Sequence, residues 1–81
     1  MIFTTHFSIR TVEIFKTTVT QPAEAKLVLD KLQERFPYYR INFDLTDCDR
    51  ILRVETRFGR IDADTISNIV RGFNHDIELL S

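Results

Sequence analysis

Hydrophobic and polar residues follow two periods along this chain, one of two residues and one of three to four. The first clear segment, residues 10–19, is rich in β-branched and aromatic residues, which predicts a strand. Its alternation is interrupted at Ile14 and Phe15, where two large apolar residues are adjacent. The sequence therefore predicts the strand without showing which of its faces is buried.

A helix is predicted directly after this strand. Pro22 suits the first helical position, Glu24 falls in the first turn where a carboxylate is favourable, and Pro37 ends the helical pattern. The apolar residues between them recur at the spacing of one helical face, namely Ala25, Val28, Leu29, Leu32 and Phe36. We expect this face to pack on the core.

Two further strands and a hairpin are predicted next. Residues 39–45 alternate apolar and polar side chains, as do residues 51–55, where Leu52 and Val54 are the predicted inward positions. Residues 46–49 between them contain aspartates that are typical of turns. This pattern indicates a β-hairpin.

The last part of the chain predicts a second helix and a short final strand. Asp62 can cap the helix, and Gly72 or Asn74 can end it in a left-handed conformation. Its apolar face comprises Ile66, Ile69, Val70 and Phe73. Residues 58–60 separate it from the preceding strand, and residues 77–79 form the final one.

The order strand, helix, strand, strand, helix, strand predicts an α+β fold of the ferredoxin-like βαββαβ type. In this sandwich, two helices cover one face of a four-stranded antiparallel sheet. We assign residues 10–81 to a single domain, because the 81 residues suffice for one core. Residues 1–9 are predicted to be a disordered tail, with an added edge strand as the alternative.

The composition limits the partners and the cellular location that we expect for the protein. With 11 basic and 12 acidic residues, the net charge of -1 provides no overall positive field for nucleic acid or anionic lipid. The sequence shows neither a basic leader followed by an apolar segment nor a membrane span. Because its one cysteine cannot form an internal disulfide, a reducing, cytoplasmic location is predicted.

Within this element order, residues 12–16, 52–54 and 72–73 resemble the heavy-metal-associated domain family. Residues 41–55 are also similar to small bacterial proteins of this type. In the metal-carrying members of the family, a Cys-x-x-Cys motif in the first loop binds copper or a divalent ion through two thiolates. This chain has residues 17–22, Thr-Thr-Val-Thr-Gln-Pro, at that place, so the resemblance implies the fold without its metal ligands.

The predicted fold nevertheless brings other ligand types to the same end of the sheet. In the strand order 4-1-3-2, Cys48 in the hairpin loop and His75 before the last strand lie on opposite sides of the first strand, roughly 10 Å apart. They are the candidate metal ligands, with Asp47 or Asp49 completing a zinc site. The alternative is that the cysteine and aspartates only form a turn and that His75 is a solvated residue after the helix.

Other chemistries find less support in the sequence. Residues 44–49 lack the spacing and the glycine of a helix-loop-helix calcium loop. Cys48 with His6 or His75 as a base has no third group to orient it, and neighbouring acids disfavour the thiolate. The outward strand positions carry charged and amide side chains rather than the aromatic residues with which an RNA-recognition module stacks bases. We therefore predict neither an enzyme nor a cofactor.

Two functional hypotheses follow from these observations. The first is a non-catalytic binding or interaction module with a vacated metal loop, which pairs with itself as a homodimer or with another protein. Leu27, Tyr38 and Ile51 lie outside the core pattern and are candidate contacts. The alternative is a zinc- or copper-binding domain with a non-standard site at Cys48 and His75. Nucleic acid and membrane are not expected as partners.

Overall fold

A computed structural model of the chain describes residues 10–46 and 48–80. The six predicted elements are all present in the predicted order. Their bounds are β1 Thr11–Thr17, α1 Pro22–Arg35, β2 Arg40–Asp44, β3 Ile51–Thr56, α2 Ala63–Gly72 and β4 Ile77–Leu79. The predicted tail, residues 1–9, lies outside the described residues.

The strands form one antiparallel sheet in the order β2-β3-β1-β4. This confirms the predicted ferredoxin-like arrangement, in which β1 and β3 are central and β2 and β4 are the edges. Both helices contribute to a single core cluster with the inward side chains of the sheet, so they cover the same face. No helix in the described part of the chain has the length and apolarity required to cross a membrane.

Burial settles the orientation of β1 that the sequence left open. Phe15 and Thr17 are buried under the helices, whereas Lys16 is exposed on the opposite face. Phe15 is opposite the fully buried Leu52 on β3. The inward face therefore carries the odd-numbered residues of β1, and Ile14 lies on the open face of the sheet.

β1 is shorter than predicted because a threonine turns the chain. The hydroxyl of Thr17 accepts the N–H of Val19 at 3.2 Å and donates to the carbonyl of Arg50 at 2.8 Å. Such local side-chain bonds compete with the ladder of a sheet. Val19, which the sequence placed in the strand, is fully buried just beyond it.

The ends of α2 are as predicted. Asp62 Oδ1 accepts the N–H of Thr65 at 3.1 Å, and Thr65 Oγ1 donates to Asp62 Oδ2 at 2.7 Å. These two hydrogen bonds hold the pKa of Asp62 below its ordinary value. Of the two residues predicted to end the helix, Asn74 adopts the left-handed conformation, with φ 66°, and Gly72 is the last helical residue.

Candidate functional site

The loop after β1 is fixed by backbone hydrogen bonds on both sides. The N–H of Thr17 donates to the carbonyl of Arg50 at 3.1 Å, and the N–H of Thr18 donates to the carbonyl of Asp76 at 3.2 Å. The hairpin loop and the segment before β4 therefore flank the end of β1. This confirms the prediction that the three segments share one end of the sheet.

His75 at this end is enclosed by its neighbours. Its side chain is 13% exposed, and Nδ1 lies 3.2 Å from the hydroxyl of Thr18. That hydroxyl also accepts the N–H of Asp76 at 2.9 Å. On the other side of the ring, Nε2 is shielded from solvent and lies 2.9 Å from Oε1 of Glu24. The two atoms are close, but their geometry is not that of a hydrogen bond. Both ring nitrogens thus face polar groups of the chain itself.

Cys48, the other predicted ligand, is exposed in the hairpin loop. Its neighbour Asp49 lies 3.8 Å from the ammonium of Lys16, and Asp47 is outside the described residues. Across residues 10–46 and 48–80, no group of three or more His, Cys, Asp or Glu side chains is arranged to hold a metal ion. The structure places the Cys48 loop and His75 at the same end without such a cluster.

An open depression of about 390 Å³ lies beside β4 at the same end. It is lined by Lys16, Thr17, Thr18, Arg71, Asp76, Ile77 and Glu78. Two cationic and two anionic side chains therefore surround it. Because the charges are mixed, the depression has no strong preference for an anion or a cation.

The opposite end of the sheet carries a surface of different character. Tyr38, in the turn before β2, is 77% exposed, and Phe58, in the turn after β3, is 72% exposed. The two rings meet edge to face, with centroids 5.9 Å apart and an interplanar angle of 69°. Arg40 and Arg57 line the same small depression of about 140 Å³. We call these four residues the aromatic–arginine surface.

Tyr39 explains why the two turns lie together. Its ring stacks on Phe36, with centroids 4.5 Å apart, at the end of α1. Its hydroxyl donates to the carbonyl of Arg60 at 3.1 Å and accepts the N–H of Asp62 at 2.9 Å. Thus Tyr39 connects the turn before β2 to the segment that precedes α2, and Tyr38 and Phe58 project beside this connection.

A carboxylate lies near these arginines, because Glu55 of β3 is directly opposite Arg40 of β2. Glu55 also lines the depression, but its carboxylate lies 3.9 Å from Arg10 and 3.6 Å from Arg53. Within the described part of the chain, Arg40 and Arg57 make no ion pair. Two exposed aromatic rings and two cationic groups are thus available for a partner.

The sequence pattern indicated only part of this surface. Tyr38 stood out as an apolar residue outside the core pattern, whereas Phe58 fell within a predicted break between elements. The signal for Phe58 was an aromatic residue in a turn, where no core periodicity requires one. The contact between two turns that are 20 positions apart depends on the β2–β3 register, which places both at the same end of the sheet.

Comparisons with protein-family models, with curated proteins and with solved structures returned no significant match. The resemblance to the heavy-metal-associated family therefore stays a prediction from the sequence.

Proposed function

We propose that this chain is a non-catalytic interaction module on a scaffold of the heavy-metal-associated type, and that it binds a protein through the aromatic–arginine surface. The observation that carries the proposal is the exposed Tyr38–Phe58 pair beside two arginines without ionic partners among the described residues. Aromatic residues and arginine are the side chains most enriched at protein interfaces and their energetic centres.

The geometry of this surface suits binding rather than chemistry. Each aromatic side chain loses little conformational entropy on contact, and the edge-to-face packing of the rings restrains them before a partner arrives. The guanidinium groups of Arg40 and Arg57 can each make paired hydrogen bonds to a carboxylate. We therefore expect a partner segment that combines apolar and acidic side chains.

The vacated loop after β1 fits the same proposal. Thr17 and Thr18 use their hydroxyls to hold the hairpin loop and the His75–Asp76 segment, whereas thiolates would serve as ligands. These contacts give the loop a structural role. The interaction surface we propose lies at the opposite end of the sheet, where the turns before β2 and after β3 meet.

Site-specific photo-crosslinking tests this function. A photoreactive phenylalanine analogue is incorporated at Phe58 in cells that express the protein, and adducts are identified by mass spectrometry. The matched control places the analogue at Asn68, which is exposed on α2. We expect one defined protein adduct from position 58, lost on Arg40→Glu or Arg57→Glu substitution and absent from position 68. Identical adduct patterns from the two positions would overturn the proposal.

A further inference from the structure

We infer that the partner is a second copy of this chain, joined through the edge strand β2 in antiparallel pairing about a two-fold axis at Asn42. This inference rests on the proposed function and identifies its partner. The resulting homodimer has one continuous sheet of eight strands, four from each copy. The aromatic–arginine surface of each copy then lies beside the hairpin loop of the other.

β2 is an edge strand of the sheet. β2 pairs with β3 on one side, and no strand of the described residues pairs with its outer side. An open edge presents backbone N–H and carbonyl groups that can form a ladder with another strand. Identical strands related by a two-fold axis pair antiparallel and use the same surface on both copies.

The sequence of β2 is complementary to itself. Antiparallel pairing centred on Asn42 places Arg40 opposite Asp44 of the second copy, and the reverse. It also places Ile41 opposite Phe43, and the two Asn42 side chains opposite each other. Opposite charges and apolar pairs at directly facing positions both stabilise a sheet. A shift of the axis to Ile41 or Phe43 loses the arginine–aspartate pairs.

The two charged residues are accessible on the strand. Both side chains are on exposed positions of β2. Asp44 Oδ1 accepts hydrogen bonds from the N–H and the hydroxyl of Thr46, at 3.1 and 2.6 Å. A carboxylate accepts several hydrogen bonds at once, so these contacts are compatible with an additional arginine. The Thr46 contacts also restrain the carboxylate at the end of the strand.

The charges at the two ends of β2 agree with this orientation. The start of β2 lies in the aromatic–arginine surface, which includes Arg57, and the strand ends at Asp44. Antiparallel pairing brings the arginines at the start of β2 in each copy toward Asp44 of the other, whereas parallel pairing places like ends side by side. The charges therefore favour the antiparallel orientation.

An apolar groove runs along the same edge. It has a volume of about 480 Å³ between α1 and β2, and its apolar lining includes the half-buried Leu29, Phe43 and Leu45. The two-fold axis at Asn42 turns this groove toward its counterpart on the second copy. Burial of these side chains adds a hydrophobic contribution to the pairing of the backbones.

The other sheet edge is less suitable for self-pairing. β4 has three residues, whereas β2 has five. A two-fold axis at the centre of β4 places Glu78 opposite Glu78 of the second copy, and like charges at facing positions are destabilising. The exposed Leu79 and Leu80 do not remove this repulsion.

Mixing of charge-reversed variants tests the register in solution. Sedimentation velocity over a dilution series should show that the wild-type chain forms a dimer that dissociates on dilution. Arg40→Asp alone and Asp44→Arg alone each place like charges at facing positions in a homodimer, so each should lose association. An equimolar mixture of the two variants restores opposite charges across the axis and should recover a dimer. Circular dichroism confirms that each variant is folded.

A cysteine pair tests the axis independently. In a Cys48→Ser background, Asn42→Cys should form an intermolecular disulfide readily, because facing residues in antiparallel strands have Cα atoms about 4.5 to 5.5 Å apart. The matched control is Asn68→Cys on the exposed side of α2, which should remain reduced under the same mild oxidation. Equal rates of disulfide formation at the two positions would contradict the axis.

The outcomes separate this inference from the proposed function. A chain that stays monomeric at every concentration, whether the β2 edge is free or covered by residues 1–9, overturns the homodimer. A dimer whose charge-reversed variants do not recover on mixing overturns the β2 register. In either case, a defined crosslink from position 58 to a different protein leaves the interaction function standing. Absence of any specific crosslink together with a normal β2 dimer overturns the role of the aromatic–arginine surface alone.

Discussion

The hydroxyl of Thr18 lies 3.2 Å from Nδ1 of His75, although the two residues are 57 positions apart in the sequence. The same hydroxyl accepts the N–H of Asp76 at 2.9 Å. One threonine at the end of β1 thus fixes both the ring of His75 and the backbone that leads into β4. The loop after β1 therefore connects the first strand to the segment before the last strand.

Substitution of this threonine should weaken the connection between the end of β1 and the segment before β4. Thr18→Val keeps the shape of the side chain but removes the acceptor for Asp76 and the contact with His75. We expect a loss of about 1 kcal/mol in the free energy of unfolding. Thr20→Val is the matched control, because Thr20 is exposed and has no hydrogen bond among the described residues. Urea denaturation of both variants measures the difference, and equal effects would contradict the role of Thr18.

The contact between His75 and Glu24 should stabilise the protein only modestly. Nε2 of His75 lies 2.9 Å from Oε1 of Glu24, so the contact links the segment before β4 to the first turn of α1. The Glu24 side chain is 40% exposed, and solvent therefore screens the pair. A double-mutant cycle with His75→Ala and Glu24→Ala should give a coupling of about 0.5 kcal/mol. A coupling of several times this size would contradict a modest contribution.

Removal of the cap of α2 should have a pH-dependent effect. The pKa of Asp62 is lowered by its hydrogen bonds to Thr65, so the ionised form is favoured in the folded state. The resulting stability is present above the ordinary pKa of 3.8 and is lost as the pH falls through the lower pKa of the folded state. Asp62→Ala should therefore be less stable than wild type at neutral pH, and the difference should shrink in acid.

Thermal denaturation from neutral pH to below 3.8 checks this prediction. Asp64→Ala is the control, because Asp64 is also acidic and in the first turn of α2 but does not cap it. A constant difference between wild type and Asp62→Ala across this range would show that the ionised carboxylate is not the stabilising group.

The two glycines should respond oppositely to the same substitution. Gly59 has φ 85°, a conformation that costs an L-residue about 1 kcal/mol, so Gly59→Ala should destabilise the fold by about this amount. Gly72 is helical, and alanine there should stabilise by about 0.5 kcal/mol. Neither added methyl group meets an atom within 4 Å, so packing does not obscure the comparison. Chemical denaturation measures the change in the free energy of unfolding for each variant. Changes of the same sign would contradict the role assigned to the backbone conformations.

Metal titration should leave the predicted ligands unaffected. His75 has polar neighbours at both ring nitrogens, and zinc binding would require it to leave Thr18 or Glu24. We therefore expect zinc and reduced copper to produce no saturable shift of the Cys48 and His75 resonances in NMR spectra. Parallel saturable shifts at both residues, lost in Cys48→Ser, would instead establish a metal site.

Local patterns were sufficient to predict the elements and their order. Pro22 and Pro37 bracketed α1, Asp62 marked the start of α2, and alternation identified β2 and β3. These signals succeed because each depends on backbone geometry or on burial within a few residues. The end of β1 was placed too late, since Thr17 forms hydrogen bonds with Val19 and with the distant Arg50.

The candidate sites depended on contacts that no local pattern records. The sequence identified His75 and placed it at the correct end, but its neighbours Thr18 and Glu24 became known only when β4 and α1 were packed against β1. It identified Tyr38 without Phe58, because their contact requires the register between β2 and β3 and the Tyr39 hydroxyl bonds that connect their two turns.

The sequence by itself determined the strands, the helices and the absence of a Cys-x-x-Cys motif after β1, since residue type and spacing are local properties. Only the tertiary structure decided which face of β1 is buried, how Thr18 holds His75, and where Tyr38, Phe58 and two arginines meet. Those features arise from strand register and helix packing, which bring together side chains far apart along the chain.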